Sequence, residues 1–376
     1  MSRLRQLHDA GQSVWLDYID RAMLRNGALA RLIRDDALMG MTSNPTIFEK
    51  ALAEGKEYDA QIEAVTGELT PWQLFELIET DDVRAACDIF AETYRATKGI
   101  DGYVSIEVSP GVANDAAATV EEAHRLWKTV DRPNVMVKVP GTAEGAIAVR
   151  RLIADGINVN VTLLFSIDAH ARVIEAYLAG LEDRLAAGKP IAGIASVASF
   201  FVSRVDSEID KRLDAIAASA PEGLRGGILA LRGKAAVANA KLAYRLFRQR
   251  FSGERWGKLA AAGAQVQRPL WASTSAKNPA YRDVLYVETL IGPDTVNTMP
   301  PATIDAFRDH GVTARTVDQD VTASEQLFHD LEQGGVHMTD VTDKLLANGL
   351  ASFQQSFDTL IAGLEKKAAA LGKTLV

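Results

Sequence analysis

The chain of 376 residues has a single cysteine, Cys87, so an intrachain disulfide is excluded. Cys87 sits in VRAACDIFAETY, whose spacing reads as helix, and the expectation there is a buried, inert thiol. Histidine is also sparse. His8, His124, His170, His310, His329 and His337 are scattered without ligand spacing, so no metal site is expected. No apolar run has the length and purity of a membrane span, and MSRLRQLHDAGQSVWLD carries no apolar core of a signal peptide. A basic stripe interleaved with aromatics is missing too, and the formal net charge is −8, which argues against nucleic-acid and anionic-membrane partners. P-loop and G-x-S-x-G motifs are absent where their context would require them. The default reading is a protein of a reducing cytoplasm that works on small molecules.

What is present is a core and a rhythm. Hydrophobic residues make up 47% of the chain and charged residues 24%, ample for a large core. Short apolar runs alternate with Ala/Leu-rich helical stretches: SVWLDYI, LMGMTSN, YVSIEVS, NVMVKVP, INVNVTLLF, IASVASFF, PLWASTS and VLYVETLI. These are about eight strand candidates, the count and alternation of a (β/α)8 barrel of the TIM type. A doubly wound sheet is the runner-up, but no Gly-rich nucleotide turn follows the first strand. With no linker and no fixed-period repeat, the expectation is one barrel domain over residues 1–376. Helical insertions are expected at about 49–99 and 205–251, and a C-terminal helix at about 342–371.

The strands share a pattern: each begins apolar and places a polar side chain near its C-terminal end. In order these are Asp17, Asn44, Glu107, Lys138, then Asn160 with Thr162, then Ser199. Period two puts Asn158, Asn160 and Thr162 on one strand face against Val159, Val161 and Leu163. Singly, each has an ordinary explanation as a turn, cap or snorkelling residue. In a barrel, however, the C-terminal strand ends converge on one rim, where a base, an acid, amides and hydroxyls would meet.

Lys138 interrupts VMVKVP at that rim. Desolvation disfavours an ammonium and frees the amine as a nucleophile, whose reaction with a small carbonyl compound is imine formation. Glu107 on the preceding strand can move the protons, and Asp17 can take a hydroxyl proton during C–C cleavage. Asn44, Asn160 and Thr162 offer neutral hydrogen bonds to a polyhydroxylated substrate. After the sixth strand SFFVSR brings Ser199 and Arg204, and after the seventh ASTSAKN brings Ser273, Ser275 and Lys277. Small residues there let backbone N–H groups approach an anion, and Arg204 and Lys277 add charge, so a phosphate site is expected. The alternative for Arg204 is a solvated helix residue paired with Asp206 or Glu208.

WLDYI, MTSNPTIF, VSIEVSP, VMVKVPGT, GINVNVTLLFS and ASFFVSRVD, in this order, resemble transaldolase, the Schiff-base enzyme of the pentose phosphate pathway. The likeness runs from about Trp15 to beyond Lys277. LWASTSAKNP and LYVETLIGPDTVNTMPP further resemble its long-chain bacterial branch, whose members also occur fused to glucose-6-phosphate isomerase. The resemblance implies a class I aldolase barrel with Lys138 as the Schiff-base lysine. It implies Asp17 as acid and base at the sugar hydroxyl, and Glu107 with Thr162 as holders of a catalytic water. Asn44 and Asn160 would hold the dihydroxyacetone unit, and Ser199 and Arg204 the phosphate. Where many relatives have Ser-Phe-Arg-Asn after the seventh strand, this chain has STSAKN; the arginine of that motif is absent, and Lys277 is the candidate replacement, a point the sequence leaves open. The implied reaction moves a dihydroxyacetone unit from sedoheptulose 7-phosphate or fructose 6-phosphate to an aldose phosphate. It needs no cofactor, because the protonated imine is the electron sink. Fructose-6-phosphate aldolases are the nearest rival; they tend to carry Gln where Glu107 stands and Tyr where Phe201 stands. A non-catalytic phosphosugar-binding protein and a phosphosugar isomerase both leave Lys138 without a role. Monomer and homodimer both remain open from sequence.

Overall fold

A computed structural model describes residues 2–43, 48 and 55–375. Eight parallel strands close into a barrel in chain order. They are β1 (Gln12–Asp17), β2 (Leu38–Thr42), β3 (Tyr103–Glu107), β4 (Val135–Pro140), β5 (Val159–Leu164), β6 (Ser196–Phe201), β7 (Arg268–Ala272) and β8 (Thr295–Met299). Alternation along each strand divides the side chains. Val135, Val137 and Val139 of β4, with Val104 and Ile106 of β3, pack outward beneath the helices in the main core. Trp15, Tyr103, Met136, Val197, Leu270 and Val296 form a separate apolar cluster, the interior layer of a packed barrel rather than a pore. Trp15 fits there because β2 offers Gly40, where a Cβ would come within 2.6 Å of the indole. At the N-terminal strand ends the interior is closed by a buried ion pair, Arg268 to Asp101 at 2.9 Å. Ser13 Oγ at 2.7 Å and Trp15 Nε1 at 3.2 Å complete the donors to Asp101.

The seven earlier strand expectations fall on β1 to β7, but the eighth does not. VLYVETLI holds a short helix, Leu285–Glu288, and the closing strand is the following TVNTM. Tyr286, Val287, Leu290 and Ile291 are apolar because they pack outside the barrel wall. The Leu290 carbonyl there accepts Gln12 Nε2 at 2.8 Å and Trp271 Nε1 at 3.0 Å. TVNTM looks polar but is fully buried, and most of its side-chain polar atoms find partners nearby, although Asn297 Nδ2 has none among the described residues. Thr295 Oγ1 donates to the Gly292 carbonyl at 2.6 Å, and Asn297 Oδ1 accepts from Thr274 Oγ1 at 2.9 Å.

Helices surround the barrel. Pro71–Ala96, opened by a Thr70–Gln73 capping box, covers β2 and β3. Ser203–Ser219, Glu222–Leu229, Ala235–Arg250 and Gly253–Ala261 fill the stretch between β6 and β7. The last helix, Met338–Ala370, is 33 residues long. Among the described residues no helix is long and apolar enough to cross a membrane. Cys87 is fully buried on Pro71–Ala96, where burial pushes its thiol up.

Candidate active site

The C-terminal strand ends open into a cavity of about 550 Å³, a size suited to a small ligand. Asp17, Glu107, Lys138, Thr162, Ser199, Phe201, Arg204, Ser275 and Lys277 all line it. Asn44 lies outside the described residues. Asn160 does not line the cavity. It is fully buried below it, its Oδ1 accepting from Ser199 Oγ at 2.7 Å and its Nδ2 donating to Ser105 Oγ at 3.0 Å. The amide thus ties β3, β5 and β6 together and aims the Ser199 hydroxyl.

Register makes the central pair. Glu107 on β3 stands directly opposite Lys138 on β4, and Lys138 Nζ donates to Glu107 Oε2 at 2.9 Å. Both side chains are nearly closed to solvent, at 11% and 8% exposure. Burial pushes the Glu107 carboxyl up, against the lowering pull of the Lys138 ammonium and its hydrogen bond, while Asp17 adds to the rise. Such a carboxylate takes up a proton more readily than an exposed one, which suits it to relay protons at the neighbouring amine. Asp17 ends β1 in register with Thr42 of β2 and accepts from Thr42 Oγ1 at 2.8 Å. Thr42 Oγ1 also lies 3.1 Å from Thr298 Oγ1 of β8. These two threonines orient the Asp17 carboxylate.

The opposite wall is cationic. Arg204 stands in the first turn of Ser203–Ser219, with its guanidinium 5.2 Å from the Phe201 ring centroid. Phe201 in turn packs on Phe165 at 5.1 Å. Lys277 Nζ donates to Ser275 Oγ at 2.7 Å. Burial pushes both cations down; Arg204 adds to the lowering of Lys277, and Asp17 opposes it for each. Among the described residues neither forms a salt bridge. The carboxylates available to Arg204 on its own helix are engaged elsewhere. Asp206 accepts from Ala236 N and Tyr286 Oη, each at 2.8 Å, and Glu208 from Arg212 and Lys344, each also at 2.8 Å. The β7 loop is turned into place by Ser273, which adopts a left-handed φ of 56°. Its carbonyl accepts from Ser203 N at 3.0 Å, which joins the two anion-facing segments.

Several lining residues escaped the sequence reading: Thr42, Thr298, and Ser352, Phe353 and Ser356 of the last helix. Thr42 had a visible signal, standing two places before Asn44 in the same LMGMTSN run. Thr298 sits in the misassigned strand, and nothing local marks the helix as part of a site. Among the described residues no three His, Cys, Asp or Glu side chains gather as a metal site.

A closed barrel with a lysine–glutamate pair in its mouth defines an aldolase-like class of protein, and comparison places the chain within it. The model of the transaldolase/fructose-6-phosphate aldolase family matches residues 14–364; the chain belongs to this family. It is 46% identical over 372 residues to Transaldolase 2 of Nostoc sp., covering 98% of each protein. It is 49% identical to a Transaldolase of Thermobifida fusca, over 98% of this chain and 99% of that protein. With a Transaldolase of Mycolicibacterium smegmatis the identity is 47%, over 95% of each.

Proposed function

We propose that this protein is a transferase of the non-oxidative pentose phosphate pathway that moves a dihydroxyacetone unit between ketose and aldose phosphates. The observation that carries the reading is the Lys138–Glu107 pair at 2.9 Å, facing Asp17 across one cavity with Arg204 and Lys277 at its far wall. Lys138 Nζ attacks C2 of fructose 6-phosphate or sedoheptulose 7-phosphate, and loss of water gives a protonated imine. Glu107, with Thr162, moves the protons of that dehydration and of its reversal. Asp17 removes the C4 hydroxyl proton. The C3–C4 bond breaks, its electrons pass into the imine, and the aldose phosphate leaves an enamine on Lys138. That enamine attacks the aldehyde carbon of erythrose 4-phosphate or glyceraldehyde 3-phosphate, and Asp17 returns the proton to the new alkoxide. Hydrolysis of the imine then releases the product ketose.

Arg204, Ser275 and Lys277 hold the phosphate, whose charge answers a half-buried guanidinium and an exposed ammonium that, among the described residues, have no salt-bridge partner. The cytoplasm is the proposed compartment, since the sugar phosphates are found there. A lyase of the same family is the second reading. It is disfavoured because Phe201 puts a ring without a hydroxyl against the cavity, and because Glu107 is a carboxylate. An isomerase or a binding protein would use the carboxylates or the cations but give Lys138 no task. The test is direct: purified protein with fructose 6-phosphate and erythrose 4-phosphate should yield sedoheptulose 7-phosphate and glyceraldehyde 3-phosphate in equal amounts. No sedoheptulose 7-phosphate at high protein concentration overturns the reading.

A further inference from the structure

The last helix, Met338–Ala370, lies beyond the motifs that carry the resemblance, yet it crosses the cavity. It is anchored on both sides of the barrel mouth. On one side Lys344 Nζ meets Glu208 Oε1 of Ser203–Ser219 at 2.8 Å. On the other, the Phe357 ring lies 5.0 Å from Trp72 and 5.9 Å from Phe75 on Pro71–Ala96. Thirteen residues separate the anchors, about 20 Å of helix at 1.5 Å per residue. Between them the helix is drawn down onto β5. Leu163 adopts a left-handed φ of 58°, beside a shift in the β5–β6 register, and meets the helix at Gly349. A Cβ on Gly349 would lie 3.0 Å from Leu163 Cδ2 and 3.7 Å from Phe165 Cε2.

The inward stripe of this helix changes character at the crossing. Leu345 before it, and Leu360, Leu364 and Ala368 after it, are buried in the core. Over the mouth the stripe reads Gly349, Ser352, Phe353 and Ser356, and all four line the cavity. Packing alone would continue the leucines. Instead two serines, four residues apart and so on one face, border the cavity that Lys138, Arg204 and Lys277 also line. Ser352 is exposed and Ser356 half-buried, as befits the wall of an open cavity.

We propose that Ser352 and Ser356 are specificity-determining residues that hydrogen-bond hydroxyls of the ketose chain between the cleaved bond and the phosphate, with the C5 hydroxyl of fructose 6-phosphate as their chief partner. The proposal rests on the sugar-phosphate reading above and extends it to the distal half of the substrate. Phe353 and Gly349 set the height of the wall; the serines read what passes under it. Donor carbons C1 to C3 are left to the barrel floor.

The experiment uses Ser352→Ala, Ser356→Ala and the double variant, each with fructose 6-phosphate and with 5-deoxyfructose 6-phosphate as donor. Alanine is the better helix former, so the helix persists, and circular dichroism checks it. For fructose 6-phosphate each substitution should raise KM ~3–10-fold, the weight of one hydrogen bond, with kcat little changed. For the 5-deoxy donor the ratio of variant to unsubstituted KM should stay near one. Unchanged KM with both donors, or equal rises with both, overturns the proposal, because a merely structural serine cannot sense the substrate hydroxyl. Calorimetric binding of the same two ketoses in a Lys138→Met background separates this outcome from the fate of the transferase reading. If the intact protein makes no sedoheptulose 7-phosphate but the serines still discriminate the two ketoses, the serine contacts stand and the transferase reading falls. If transfer proceeds and binding does not discriminate, the reverse holds.

Discussion

Lys138 and Glu107 are partners in register on adjacent parallel strands, and Lys138 Nζ donates to Glu107 Oε2 at 2.9 Å inside the barrel mouth. An amine so held has its proton acceptor in place before any substrate enters. Borohydride added during turnover should therefore trap the imine, inactivate the protein, and leave a reduced dihydroxyacetone unit on the peptide containing Lys138. Lys138→Arg should lose all transfer, because a guanidinium stays protonated and cannot attack a carbonyl. Mass spectrometry locates the adduct; a label on another lysine would falsify the assignment.

The cationic wall predicts a selective loss. Arg204→Ala should lower kcat/KM for phosphorylated donors by ~2–5 kcal/mol, with a much smaller loss for unphosphorylated ketoses that yield dihydroxyacetone. Lys277→Ala should act in the same direction but less strongly, since its ammonium also engages Ser275. Steady-state kinetics with both donor types decides it. Equal losses for the two would remove Arg204 from the phosphate site.

Glu79, close enough to feel the Glu107 charge, offers a stability test. It is 4% exposed on Pro71–Ala96, with Ser43 Oγ donating at 3.3 Å. Burial first, and the nearby Glu107 charge second, push its carboxyl up to about 8 from 4.5. Between those values the fold retains a proton that the unfolded chain has released. Glu79 therefore lowers stability progressively as pH rises through that window, by up to about 4–5 kcal/mol. Glu79→Gln, which mimics the protonated acid, should leave stability near pH 4.5 almost unchanged and raise it by a few kcal/mol at pH 8.5. Urea titrations at the two pH values measure the difference; an equal effect at both would place the cost of Glu79 elsewhere than in its charge.

Much of this was legible in the sequence because barrel strands have two faces with different tasks. Val135, Val137 and Val139 announce β4 by their outward face, and Met136 and Lys138 then fall inward by alternation alone. β8 failed the same test: Thr295 and Asn297 are buried polar residues whose partners, Gly292 and Thr274, are visible only once the chain has folded. Depth along a strand was also hidden. Asn160 and Thr162 share a face, but only Thr162 reaches the cavity, while Asn160 is spent on Ser105 and Ser199. The last helix runs over Met338–Ala370, whereas the sequence pattern marks it from about 342. Its place over the mouth depends on distant anchors, Glu208 and Trp72, that no local pattern reveals.

Transfer and simple cleavage differ in the fate of the enamine, and Phe201 bears on that fate. Its ring lines the cavity, packed on Phe165 at 5.1 Å and beneath the Arg204 guanidinium at 5.2 Å, so it is held from two sides. A phenyl ring has no proton to give. The enamine then persists until an aldehyde arrives, and fructose 6-phosphate alone should turn over little. Erythrose 4-phosphate should restore rapid flux. Phe201→Tyr would keep the same packing while adding an acidic hydroxyl at the ring's far end, where it can protonate the enamine carbon or orient a water that does so. The variant should release free dihydroxyacetone from fructose 6-phosphate without acceptor, and lose transfer as it gains cleavage. Enzymatic assay of dihydroxyacetone against sedoheptulose 7-phosphate gives the ratio. If the unsubstituted protein already cleaves fructose 6-phosphate as fast without acceptor as with it, Phe201 does not guard the enamine and the protein is a lyase.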